Sequence, residues 1–143
     1  MLYYSKMTGI HVFDSPVQKA NFWIKGLMEE LQWSDEDKTH IALRAVLWAL
    51  RDRMTIEETA HLAAELPLVI RGMFYESWNP HGKPLKMHRE EFLGYIKGQF
   101  INEIIEPKEI IRAVFRLLKN KISAGEIKDV RNIIPKDLQD FWD

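Results

Sequence analysis

A chain that repeats its own apolar spacing at a fixed interval commits both copies to one local fold, because each copy must bury the same face. Here the interval is 68 positions, without a gap: Arg44, Ala45 and Val46 fall on Arg112, Ala113 and Val114. Leu50 meets Leu118, Met54 meets Ile122, Thr55 meets Ser123 and Glu58 meets Glu126. The match runs on through Leu62 and Val130, Leu66 and Ile134, Pro67 and Pro135, Ile70 and Leu138, to Phe74 and Trp142. Apolar spacing, helix caps and a proline recur rather than a set of reactive groups. The pattern predicts an all-α protein of about eight helices, a tandem duplication of a roughly four-helix unit.

Such a chain of 143 residues buries roughly two thirds of its unfolded surface on size grounds alone. Apolar residues at 46% supply a core, so no metal or staple is needed. With no cysteine, disulfides and thiolate ligands are excluded, which fits a reducing compartment. Twenty Lys plus Arg against twenty-one Asp plus Glu leave no electrostatic footprint for nucleic acid. The start, MLYYSKMTGI, lacks a signal-peptide core, and no stretch approaches the roughly twenty apolar residues that span a bilayer. The expectation is a cytoplasmic protein without nucleic-acid or membrane partners.

In chain order, residues 1–13 have no sustained period and are expected to form an N-terminal arm. Asp14, Ser15 and Pro16 resemble a helix start, and Val17, Ala20, Trp23, Ile24, Leu27 and Leu31 continue it at helical spacing over 16–31. Ser34, with Asp37 three residues on, predicts the cap of a second helix over 35–53. From Ile41 to Leu50 only Arg44 is polar, as in a helix enclosed on most sides. Thr55 and Glu58 form a capping-box pair, repeated by Ser123 and Glu126. A third helix ends at Leu66 and a fourth runs from Pro67 to Ser77. Two prolines and a glycine in 79–87 mark a connector between a first repeat (14–78) and a second (88–143). The second repeat resumes near His88, restarts at Glu106 and Pro107, and ends with helices over 124–133 and 135–142, the two repeats packing as one domain.

The strings LRAVLWALRDRM and HLAAELPLVIRGMFYESW, with HREEFLGYI, IIRAVF and AGEIKDVRNIIPKDLQDFW, resemble the uncharacterised bacterial DUF2267 family over about residues 15 to 142. The resemblance implies an all-helical tandem repeat and carries no enzymatic activity with it. Where the family's usual string is AAQLP, this chain has AAELP, placing a charged Glu65 where an amide is ordinary. Met54 similarly stands where leucine is ordinary.

Three groups of residues carry the functional candidates. Glu58, His61 and Glu65 have the spacing of metal-binding helices, but the matching Glu126, Asp129 and Ile133 lack the histidine and the last carboxylate. No metal and no cofactor are therefore expected. Arg44 and Arg112 each interrupt an apolar helix, and an enclosed charge needs a partner. A structural ion pair with Glu58 or Glu126 is the favoured reading, and an anion pocket of Arg44, Arg51, Arg53 and Arg71 the alternative. Trp48, whose counterpart is Arg116, is expected to close the seam between repeats or to join Tyr75 and Trp78 in a contact surface. Phosphate-loop, dinucleotide, zinc-protease, calcium-loop and serine-nucleophile patterns are lacking, so no catalytic residue is named. The leading expectation is a noncatalytic interaction or adaptor domain with a protein partner or a homo-oligomer. The alternative is an enzyme or ligand-binding protein with an anion or metal pocket built from Arg44, Arg51, Arg71, His61 and Glu65.

Overall fold

The computed structural model describes residues 8–142, and every regular element among them is helical. Seven α-helices follow one another: α1 (His11–Leu31), α2 (Glu36–Asp52), α3 (Ile56–Glu65), α4 (Leu68–Tyr75), α5 (Arg89–Gly98), α6 (Pro107–Lys121) and α7 (Ala124–Ile133). A 3-10 helix, Lys136–Phe141, closes the chain. Residues 1–7 of the expected arm, and Asp143, lie outside the described residues. None of the helices is long and apolar enough to cross a membrane among the described residues.

Most helix ends fall where the local chemistry predicts. Pro107 begins α6 at the position where its missing N–H costs nothing. Pro67 precedes α4 with an extended backbone, φ −65° and ψ 157°, and so separates it from α3. Thr55 and Glu58 close a full capping box at α3, with Glu58 N–H donating to Thr55 Oγ1 at 3.1 Å and Thr55 N–H to Glu58 Oε1 at 2.9 Å.

Four expectations need correction. Helix α1 starts at His11, ahead of Pro16, and Asp14 sits in its first turn instead of capping it. There the Asp14 carboxylate accepts from the Thr8 N–H at 2.9 Å and the Thr8 hydroxyl at 2.6 Å, which holds the incoming chain on the helix start. The cap of α2 is Asp35, not Ser34, because Asp35 Oδ1 accepts from the Lys38 N–H at 3.0 Å. Ser123 caps α7 by accepting from the Glu126 N–H at 3.3 Å, yet Glu126 does not complete the box. The Ser123 N–H instead donates to Glu65 Oε1, at 2.7 Å, from the end of α3. Finally, the last segment winds as a 3-10 helix rather than an α-helix, the tighter form that short terminal pieces commonly take.

The core is one cluster centred on α2 and α6. Ala42, Leu43, Ala45, Val46, Leu47, Ala49 and Leu50 of α2 are fully enclosed, as are Ile110, Ile111, Val114, Phe115 and Leu118 of α6. Around this pair α1 packs on α2 and α6, α5 packs on α6 and α2, and α3 meets α7. Where α1 crosses α6, a Cβ at Gly26 would stand 3.2 Å from Leu117 Cδ1. That close approach accounts for glycine in the middle of a long helix.

Candidate functional site

The backbone leaves the last carbonyls of every helix without an intrahelical donor, and this chain answers several of them with cationic side chains. Arg71 donates from Nε to Ala63 O at 2.7 Å and from its guanidinium to Leu66 O at 2.8 Å, closing the end of α3. Arg51 reaches Phe74 O at 2.9 Å and Glu76 O at 2.8 Å, closing the end of α4. It is only 3% exposed and also meets Asp52 at 3.2 Å, so its charge is compensated on both sides. Arg53 donates to Ile133 O at 2.9 Å, at the end of α7, and to Met87 O in the connector. Lys119 donates to Trp142 O after the 3-10 helix.

Three of the four arginines of the supposed anion pocket are thus engaged with helix ends, each at a different place. Arg44 has another role. Its guanidinium stacks on the Trp48 ring at 4.9 Å, with Arg51 at 5.0 Å from the same ring. The expected ion pair with Glu58 is not formed: Glu58 serves its cap, and Arg44 Nε is enclosed without a hydrogen-bond partner among the described residues. An aromatic face beside the guanidinium supplies the attraction that a carboxylate was expected to provide.

Trp48 ties α2 to α4, its indole N–H donating to Met73 O at 2.9 Å. Beside it lies Tyr75, flanked by the two carbonyls that Arg51 holds, and Tyr75 packs on Trp78 at 5.5 Å and on Phe74 at 5.6 Å. The structure therefore brings Trp48, Tyr75 and Trp78, together with Arg44, to one region at the end of α4. All three rings are half-buried, and the Trp78 indole N–H is enclosed without a partner. Two titratable groups nearby, His40 and Tyr95, are perturbed. Burial, then the Arg44 charge, hold His40 below its ordinary value against the pull of Glu76. Burial and the neighbouring Asp52 push the Tyr95 hydroxyl up to about 12, with Arg51 opposing.

His61 and Glu65 stand elsewhere. His61 is exposed on α3 and lines a cleft between α3 and α7 with Glu58, Glu126, Asp129, Asn132 and Ile133. Glu65 turns to the Ser123 N–H, a bond that holds its carboxyl below the usual range. Among the described residues no three His, Asp or Glu side chains converge as a metal would require. The five residues of the anion or metal alternative consequently do not form one pocket.

Sequence reasoning passed over Glu126 as a cap. Buried to 8% exposure, it is held above the ordinary carboxylate range by its burial, then by Asp129, Glu65 and Glu58, with His61 opposing. The available signal was the exchange of amide for acid at Glu65, which makes the acceptor at the cap of α7 a charged and stronger one.

No curated protein matches the sequence. The family model described as "Uncharacterized conserved protein (DUF2267)" matches residues 20–141, nearly the whole chain, and the protein belongs to that family.

Proposed function

We propose that the protein is a noncatalytic helical interaction module made of two related units, 14–78 and 88–143, joined by the connector 79–87. Recurrence of long-range side-chain bonds supports the duplication. Arg51 to Phe74 O and Lys119 to Trp142 O both span 23 positions and occupy matching places in the two units. Arg71 to Ala63 O and Gln139 to Arg131 O both span eight and match likewise. Arg44 and Arg112 each lie over an aromatic ring, Trp48 in one unit and Phe141 in the other, at 4.9 and 4.6 Å. The helix contacts are reciprocal as well: α1 meets α6 while α5 meets α2, and α3 meets α7, as a two-fold relation between units requires.

Matched positions hold helix ends together, so function is sought where the units differ. Trp48 stands where the second unit has Arg116, and Tyr75 with Trp78 lie at the boundary of the first unit. The observation that carries the interaction reading is the half-buried Tyr75 and Trp78 pair, whose indole donor has no partner among the described residues. Aromatic bodies with an unmet polar tip suit a contact with another chain, which supplies the acceptor and covers the rings. A second copy is the first partner to test.

Sedimentation equilibrium and native mass spectrometry of the wild type and of Tyr75→Ala/Trp78→Ala test this. The expected result is a defined oligomer that the double variant dissociates while its helical circular dichroism is retained. A wild type that stays monomeric at every concentration removes self-association, and a co-purified small molecule released by Arg44→Ala restores the ligand-binding alternative.

A further inference from the structure

We propose that the cleft between the connector and the start of the 3-10 helix binds a small organic acid, its carboxylate held by Arg53, Lys86 and Lys136 and its carbon chain laid against the connector. The inference stands apart from the aromatic surface at the end of α4 and does not depend on it.

The cleft has a volume of about 520 Å³, within the roughly 300 to 1,000 Å³ of small-molecule sites. Pro84, Leu85 and Met87 of the connector, with Pro135 before the 3-10 helix, give it an apolar wall. Leu85 is 42% exposed, so a large aliphatic side chain stands uncovered on that wall. Apolar walls carrying a few charged groups are the composition that holds and orients a small ligand.

Hydrogen bonds fasten these walls without help from a ligand. The Leu85 N–H donates to Asp52 O at 2.7 Å, which ties the connector to the end of α2. Arg53 donates to Met87 O in the connector and to Ile133 O at the end of α7, the latter at 2.9 Å. Arg89 ties the 3-10 helix to the start of α5, its N–H donating to Asp137 Oδ2 at 3.3 Å and its guanidinium to Asp137 O. A cleft held in this way has little ordering left to lose when it binds.

Charge selects the sign of the ligand. Arg53, Lys86 and Lys136 line the cleft against one acid, Asp137, and the imidazole of His88. None of the three cations makes an ion pair among the described residues, and the Asp137 carboxylate already accepts from the Arg89 N–H. Arg53 uses two of its N–H groups on backbone carbonyls, and a guanidinium carries five. Its burial lowers its pKa while Asp137 opposes the shift, so a further negative group beside it offsets the cost of enclosing its charge. Lys86 and Lys136 are exposed and bring flexible ammonium groups to the same anion. The apolar wall favours a carbon chain over a bare ion, and Asp137 repels a dianion more than a monoanion. A monocarboxylate with an aliphatic body meets both conditions.

Titration of the full chain, followed by amide chemical shifts, tests the assignment. The probes are the straight-chain acids from butanoate to octanoate, with octylamine, inorganic phosphate and N-acetyl-leucyl-leucine for comparison. Octanoate is expected to shift the Leu85, Lys86 and Lys136 amides saturably, in the submillimolar range. Affinity should rise about twofold to threefold with each added methylene, less than full burial would give. Lys86→Gln/Lys136→Gln changes two exposed side chains and is expected to weaken octanoate about fivefold with Tm unchanged. Arg53→Gln is expected to abolish saturation, but it also cuts the ties to Met87 O and Ile133 O, so the lysine double variant decides. Failure of every acid to saturate, octylamine or phosphate binding as tightly as octanoate, affinity independent of chain length, or affinity unchanged in the lysine double variant would each overturn the proposal. Tighter binding of N-acetyl-leucyl-leucine than of octanoate would place a chain terminus in the cleft and overturn the assignment to a free acid.

Discussion

The two halves of the chain do the same structural work with unequal means. In the first, the cap of α3 is closed by two reciprocal bonds, and Arg71 and Arg51 each bring a guanidinium to two carbonyls. In the second, the serine cap makes one bond at 3.3 Å, Gln139 makes one at 3.3 Å, and Lys119 reaches a single carbonyl. The second half also takes a cap acceptor, Glu65, from the first. On the proposed duplication, a framework position survives while the strength of its bond falls, provided the better-tied half supports the other. Arg53 illustrates that support, since it leaves the end of α2 to close the end of α7 at Ile133.

The largest difference is expected at the pair Arg51 and Lys119. Arg51 is 3% exposed and holds Phe74 O, Glu76 O and Asp52 together. Arg51→Met leaves two carbonyls unpaired and Asp52 without its cation, with the Tyr95 hydroxyl as its remaining side-chain partner, and should cost about 3 kcal/mol. Lys119→Met removes one bond beside the Trp142 ring and should cost about 1 kcal/mol. Urea denaturation measures both, and equal losses would remove the asymmetry between the halves.

A smaller contrast is expected at α3 and α7. Arg71→Ala deletes two charge-assisted bonds from the end of α3, for a loss of about 2 kcal/mol, whereas Gln139→Ala should lose no more than about 1 kcal/mol. Smaller still is the pair of caps. Thr55→Ala should cost about 1 kcal/mol and Ser123→Ala about half of that, since the Ser123 N–H retains Glu65 in either case. Hydrogen exchange at the first turns of α3 and α7 reads the same contrast residue by residue: Thr55→Ala should speed α3 more than Ser123→Ala speeds α7.

These pairs also show why the helices were legible and their fastenings were not. The extent of α2, α3, α6 and α7 follows from apolar spacing, and the starts of α3 and α7 from caps three residues apart, both local properties of the chain. A helix-end carbonyl belongs to the backbone and has no letter of its own. The bonds from Arg51, Arg53 and Arg71 to such carbonyls were consequently invisible, which left an anion pocket as the alternative reading of those arginines. Arg44 was recognised as an enclosed charge, but its partner proved to be the Trp48 ring one turn along the same helix. The start of α1 was set too late because Pro16 resembled a first helical position. In fact the helix carries that proline inside it, with the chain before it held by Asp14. At the starts of α3 and α7 the pattern of caps marked Glu58 and Glu126 alike, but Glu65 took the place of Glu126 at the Ser123 N–H only in three dimensions.

That replacement yields the finest test of the comparison. Folding raises the pKa of Glu126, so the native state binds its proton more tightly than the unfolded chain does. The ionised carboxylate then destabilises the fold above the raised value, and the penalty disappears as pH falls below the ordinary carboxylate value. Glu126→Gln should accordingly raise Tm by about 3 °C at neutral pH, with the gain vanishing near pH 4. Glu58→Gln, where an amide can still close the box, should show no such gain. Glu65 behaves in the opposite sense: its lowered pKa contributes stability above the ordinary carboxylate value, lost as pH falls through the lowered one. Glu65→Ala removes that contribution and frees the Ser123 N–H, so Glu126 can turn back and complete its own capping box as Glu58 does. In the Glu65→Ala background, Glu126→Gln should no longer raise Tm at neutral pH. A thermal double-mutant cycle measures the change, and full additivity of the two substitutions would show that Glu65 does not govern where Glu126 points.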